Sequence, residues 1–155
     1  MNRKEIEYAL QSCEFFGMLG KDEISEIAGL CQVNTYRSCE AVFQQGDHGE
    51  HLYIITQGRI HLERSVDLGK HKGKVVIEAL GKGRVLGCWS TLLETPHTLM
   101  SSAICQTPTM LLAIKGSDLR RIMIGNTEIG FKLMEKLCFL LRDRIQAAYG
   151  AMEKI

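Results

Sequence analysis

A mainly β domain, a roll or barrel of short strands with helices at both ends, is what this sequence predicts. Three observations carry the prediction. Between residues 33 and 115, polar and apolar side chains alternate in short runs with glycines between them. Residues 3–31 instead repeat their apolar side chains at three- and four-residue spacing. From Asn126 to about Ile155 the helical period returns and persists. The expected organisation is one domain: helices over 1–32, strands over 33–115 and helices over 116–155.

The chain has 155 residues, enough to bury a core without disulfide staples. A net charge of +1 offers no broad basic field for nucleic acid. The N-terminus, MNRKEIEYALQSCEFF, is charged and lacks the apolar stretch of a secretory leader. No run of about 18 apolar residues is present, so no membrane span is expected. The six cysteines, at 13, 31, 39, 88, 105 and 138, include no C-x-x-C pair. Free thiols in a reducing cytoplasm are therefore expected, not a zinc ribbon or a thioredoxin-type motif.

Taken in order, residues 3–12 read as a helix and FFGML, residues 15–19, as an apolar knot. Asp22 is positioned to cap a second helix with Ile24, Ile27, Ala28 and Cys31 on one face. About eight strands follow. Gly58, between LYII and RIHLER, supplies the positive φ of a tight hairpin, with Ile60 and Leu62 facing one way and Arg59, His61 and Glu63 the other. DLGKHKGK, residues 67–74, is a polar hairpin tip and VVIEAL the strand after it. AICQT and TMLLAI are two strands broken at Pro108. Ser117 is placed to cap the helix DLRRIMIG, which Gly125 ends.

The run EAVFQQGDHGEHLYIITQGRIHLER resembles the front half of a cyclic nucleotide-binding domain, through Val42-Phe43, Gly46-Asp47, Gly49-Glu50, Leu52-Tyr53-Ile54-Ile55 and Gly58. The resemblance covers nearly the whole chain. It implies an antiparallel, jelly-roll-like β-roll with N-terminal helices and a long C-terminal lid helix. Such domains sense a small ligand in bacterial regulators of the catabolite activator type, in cyclic-nucleotide-dependent kinases and in gated channels.

The family's phosphate-binding cassette runs aromatic or aliphatic-Gly-Glu-Leu-Ala, then, a few residues on, Pro-Arg-Ala-Ala. GRVLGCWSTLLETPHTLM aligns with it without a gap: Leu86-Gly87-Cys88-Trp89-Ser90 at the start and Pro96-His97-Thr98-Leu99 at the end. Cys88 stands where the family's glutamate accepts from the ribose hydroxyl, and His97 where its arginine grips the cyclic phosphate. The candidate ligand residues are thus Gly87, Cys88, Trp89, Ser90, His97 and Thr98. A short helix over 89–93 would still aim N–H groups at an anion, but the guanidinium fork is gone. Leu99 and Met100 enlarge positions that are often small and narrow the pocket.

Two readings of the altered cassette stand side by side: drift of an unused pocket, or a pocket with another ligand. A thiol at a helix N-terminus beside an imidazole would be acidified and reactive. A thiol, haem or metal sensor is therefore one alternative, though two ligands alone make no metal site. A ligand-free dimerisation module is another. His48, His51, His61 and His71 read as solvated, Trp89 as apolar packing, and GKHKGK as a solvated basic tip. GKGRVLG lacks the Gly-Lys-Ser/Thr ending of a P-loop.

Met134, Cys138, Leu141, Ile145, Ala148 and Met152 step by four and three, which makes a heptad seam. In the resembling regulators this helix is both the dimer interface and the lid, and Arg144 falls near that lid. No helix-turn-helix follows, so no DNA-reading domain is expected. No paired acid and base, activated serine or metal cluster is present, so catalysis is not expected. The expected function is a cytoplasmic, homodimeric sensor of a cyclic nucleotide or another anion, with weak or altered binding and no haem.

Overall fold

The computed structural model describes residues 1–88, 94 and 97–154. Two helices, α1 (Arg3–Ser12) and α2 (Lys21–Ala28), lead into the strands. The Asn2 side chain accepts from the Glu5 N–H and the Glu5 carboxylate accepts from the Asn2 N–H, which closes a capping box on α1. Asp22 does not cap α2 as expected. Gly20 holds that place, and its carbonyl accepts from the Ile24 N–H at 3.0 Å. The knot between the helices is apolar core, with Phe15 and Phe16 fully buried and their ring centroids 4.6 Å apart.

Among the described residues ten strands follow: β1 (Gln32–Tyr36), β2 (Ala41–Phe43), β3 (His48–Gly49), β4 (His51–Gln57), β5 (Ile60–Asp67), β6 (Lys72–Leu80), β7 (Val85–Leu86), β8 (His97–Thr98), β9 (Ser102–Cys105) and β10 (Thr109–Lys115). They form two antiparallel four-stranded sheets, β1-β10-β4-β7 and β2-β9-β5-β6, and a two-stranded ribbon of β3 and β8. This is the predicted mainly β roll with flanking helices.

Gly58 does not make a hairpin. Its φ is +99°, as the positive-φ reading required, yet β4 and β5 lie in different sheets and the chain crosses between them here. A Cβ on Gly58 would lie 2.5 Å from Thr109 Oγ1 and 2.7 Å from the Pro108 carbonyl. Glycine is needed for close approach as much as for φ. The β5–β6 hairpin does form where expected, with Asp67 opposite Lys72.

Alternation along β4 splits the core in two. Leu52 and Ile54 face the helices, together with Leu112 and Ile114 of β10. Tyr53 and Ile55 face the other way and meet Ile60, Leu62, Leu80, Ala103 and Cys105 of the second sheet. Period-two patterning decides which residue joins which cluster.

Two helices close the chain, α3 (Gly116–Gly125) and α4 (Thr127–Met152). Lys115, not Ser117, is the N-cap of α3, with no side-chain cap. Asn126 caps α4 by accepting from the Ile129 N–H. The two helices cross closely at Gly130, where a Cβ would overlap the Met123 carbonyl. No described helix is long and apolar enough to cross a membrane.

Candidate ligand site

The cassette begins where β7 ends. Val85 and Leu86 pair with Ile54 and Tyr53 of β4. Gly87 then turns the chain at φ +76°, in the left-handed region that a side chain disfavours. A Cβ there would also overlap the His51 carbonyl oxygen.

Cys88 follows and is only 6% exposed, packed with the helix-facing core. Burial pushes its thiol up to about 11; Arg144 pulls the other way and Glu14 adds to the rise. The acidified thiol expected beside His97 is thus replaced by a thiol held protonated, with Arg144 and Glu14 as its charged neighbours. Trp89, Ser90, Pro96 and the helix expected over 89–93 lie outside the described residues.

His97 and Thr98 form β8, opposite Gly49 and His48 of β3. Both ring nitrogens of His97 are shielded from water and have no hydrogen-bond partner among the described residues, although the residue as a whole is half-buried. Burial lowers its pKa, and nearby His48 pushes the same way. At pH 7 this imidazole is neutral, with one donor and one acceptor to offer. Thr98 is exposed. Cys88 and His97 are held by different strands: β7 brings the first to the helix-facing core, β8 the second to the β3 ribbon.

Leu99 packs over Gly49. It is 7% exposed, and its Cδ2 lies 2.8 Å from where a Gly49 Cβ would stand. Its N–H donates to the Asp47 carbonyl at 2.8 Å, and the Gly46 N–H donates to its own carbonyl at 2.9 Å. Beside it lies a cavity of about 200 Å³ lined by Asp47, His48, His51, Tyr53 and Leu99 among others. Met100 points outward and is 58% exposed. Half-buried His51, with its ring 5.9 Å from that of Tyr53, belongs to this wall and is not simply solvated.

Arg144 reaches the cassette from α4. Its guanidinium donates to Glu78 Oε2 of β6 and, at 2.8 Å, to the Val85 carbonyl. The other Glu78 oxygen accepts from Arg84 at 2.8 Å. Arg84 Nε lies 3.0 Å from Glu14 Oε2, within ion-pair range but not aligned as a hydrogen bond. Glu14 Oε1 accepts from the Val85 N–H at 2.8 Å. Between them the two acids hold the Arg84 guanidinium charge more firmly than its burial weakens it. Sequence reasoning missed Glu14, Glu78 and Arg84. A lone acid inside the apolar run VVIEAL was the available signal for Glu78.

Much of the seam faces away from the roll. Ile129, Leu133, Leu137 and Leu140 of α4 join the helix-facing core, and half-buried Leu141 packs against it. Met134, Cys138, Ile145 and Met152 are exposed, while Leu141 and Ala148 are half-buried. Phe131 and Tyr149 extend the exposed stripe, at 69% and 64%. Among the described residues no three His, Cys, Asp or Glu side chains are arranged to hold a metal.

The family described as cyclic nucleotide-binding domain matches residues 33–126. A cGMP-dependent protein kinase of Eimeria tenella is 28% identical over 127 residues, covering 82% of this chain and 12% of the kinase. A cyclic AMP receptor protein of Thermus thermophilus is 28% identical over 109 residues, covering 70% of this chain and 48% of the receptor. The chain thus spans less than half of either relative. A cyclic nucleotide-binding domain from Methylobacillus flagellatus superposes with a TM-score of 0.78 at 19% identity, over 99% of this chain and 84% of that one. The Thermus thermophilus catabolite activator protein superposes at 0.70 and 26% identity, over 90% and 62%.

Proposed function

This chain belongs to the cyclic nucleotide-binding domain family, and we propose that it serves there as a non-catalytic regulatory module with a weakened or altered ligand pocket. The observation that carries the reading is His97. It stands where the aligned cassette has its arginine, and it is neutral, shielded and without a hydrogen-bond partner among the described residues. Losing a buried charge-assisted contact costs on the order of 2–5 kcal/mol. At about 1.4 kcal/mol per factor of ten, the affinity for a cyclic phosphate falls by roughly one and a half to three and a half orders of magnitude.

Two of its relatives are, by name, a cGMP-dependent kinase and a cyclic AMP receptor, so cyclic AMP and cyclic GMP are the ligands to try first. Calorimetric titration at pH 8 and at about pH 5.5 tests the proposal. Weak binding at pH 8 is expected, and tighter binding as acid charges the imidazole, which its lowered pKa places below the ordinary histidine range. Submicromolar binding at pH 8 refutes a weakened site. The long helix is the second part of the proposal: its exposed seam pairs with a second copy in parallel, as sedimentation would reveal.

A further inference from the structure

The side chains of Glu14, Glu78, Arg84 and Arg144 come from four places in the chain and meet around one residue of β7, Val85. Glu14 belongs to the segment after α1, Glu78 to β6, Arg84 to the turn before β7 and Arg144 to α4. Val85 is bound on both sides, its N–H by Glu14 and its carbonyl by Arg144, each at 2.8 Å. Arg144, Glu78 and Glu14 are all three-quarters or more shielded, at 20%, 22% and 22% side-chain exposure. Two residues further on lies Gly87, where the cassette begins.

We infer that this cluster is a latch that holds α4 closed against the start of the cassette through the protein's own charges, with no ligand needed. Three features make it a latch rather than a surface ion pair. Arg144 makes two bonds to different partners, Glu78 and the Val85 backbone, so the helix is fixed in both position and rotation. Glu78 is shared between Arg144 and Arg84, so release of the helix leaves Glu78 still paired to Arg84 and does not strand a shielded acid. Finally, the C-terminal half of α4 has few other anchors. Leu133, Leu137 and Leu140 pack inward before Arg144, but after it only Ala151 is buried. The helix therefore has a firm root and, beyond Arg144, a lightly held end that rests through Ala151 near the β5–β6 hairpin, and local opening concentrates where apolar contacts are few.

The latch bears on regulation. Cys88 sits behind it, 6% exposed, with Arg144 among its charged neighbours. A ligand reaching the cassette past α4 has to compete for the Arg144 guanidinium. That competition adds to the cost of binding and couples an occupied site to the freedom of the last helical turns. What the latch guards rests on the reading of the cassette as a ligand site; the latch itself does not.

The test uses the unliganded full chain. Amide hydrogen exchange over residues 145–152 and the rate of maleimide labelling of Cys88, read by peptide mass spectrometry, are compared among wild type, Arg144→Ala, Glu78→Gln and the swap Glu78→Arg with Arg144→Glu. In the single variants both rates are expected to rise about tenfold or more, while residues 129–140 keep their protection. Partial recovery in the swap identifies the charge pair itself. If Arg144→Ala does not fold, Glu78→Gln, which keeps the side-chain shape, decides. Unchanged exchange and unchanged labelling overturn the latch. Adding cyclic AMP or cyclic GMP separates the two ideas: a variant that opens yet binds neither sinks the ligand reading and leaves the latch standing.

Discussion

The carbonyl oxygen of His51 occupies the space that a side chain on Gly87 would need. β4 and the exit of β7 are therefore in backbone contact at the mouth of the cassette, and the φ of +76° at Gly87 adds a second reason for glycine. Gly87→Ala is expected to destabilise the fold by about 1–3 kcal/mol. Gly69→Ala is the control, because Gly69 has a φ of +77° but nothing within 4 Å of where its Cβ would stand. Urea denaturation of both variants separates overlap from strain. Equal losses would mean that the contact with His51 adds nothing.

His97 makes the fold sensitive to acid in a definite direction. Its pKa is lowered in the native state, first by burial and then by His48. The unfolded chain therefore binds the proton more readily, and native stability falls as pH drops through about 6.5, the ordinary histidine value. The loss levels off below the native pKa, where both states carry the charge. His97→Gln is expected to flatten the stability profile between about pH 7 and 5. Thermal melts across that range check it, and an unchanged slope refutes the assignment.

Restoring the aligned residues tests whether the cradle still works. Cys88→Glu together with His97→Arg is expected to raise affinity for a cyclic nucleotide by more than about tenfold. Arg144 beside position 88 helps accommodate the new carboxylate, while Glu14 opposes it. A folded double variant with no gain in calorimetry would mean that Leu99, which lies over Gly49, Met100 or the α4 lid closes the pocket.

Thiol reactivity should follow burial. Cys39 and Cys138 are exposed, whereas Cys13, Cys88 and Cys105 are buried. With its thiol pushed up to about 11, Cys88 is roughly one part in ten thousand thiolate at pH 7. In Ellman titration of the native protein, Cys39 is expected to react at least about tenfold faster than Cys88. A fast Cys88 would revive the redox-sensor reading.

Assembly rests on the exposed stripe of α4. Burying Leu141 and Ile145 against a second copy contributes roughly 1.5–3 kcal/mol per fully buried side chain, and an apolar stripe this long is unusual on a soluble monomer. Ile145 is 49% exposed, so an aspartate there is tolerated in a lone chain and unfavourable in a dimer seam. Ile145→Asp is expected to turn a sedimenting dimer into a folded monomer. Wild type sedimenting as a monomer at tens of micromolar removes the dimer from the proposal.

Period and punctuation were legible in the sequence because they are local. The 3.6 repeat marked α1, α2 and α4, and alternation through LYII and RIHL sorted side chains to opposite faces of the strands. The glycine at 58 announced its positive φ, and the gapless cassette motif pointed to Gly87, Cys88 and His97. The caps at Gly20 and Lys115 were misplaced onto Asp22 and Ser117 because a capping side chain is only a preference; backbone and tertiary contacts set where each helix starts. Only the tertiary structure decided that β4 and β5 part company at Gly58, since which strands pair depends on partners far along the chain. It also turned Cys88 from an acidified thiol into a protonated one, because burial is a property of the packed core and not of neighbouring letters. The meeting of Glu14, Glu78, Arg84 and Arg144 is of the same kind: no spacing in the sequence encodes a contact across 66 residues, such as Arg144 with Glu78, until the roll and the last helix are packed together.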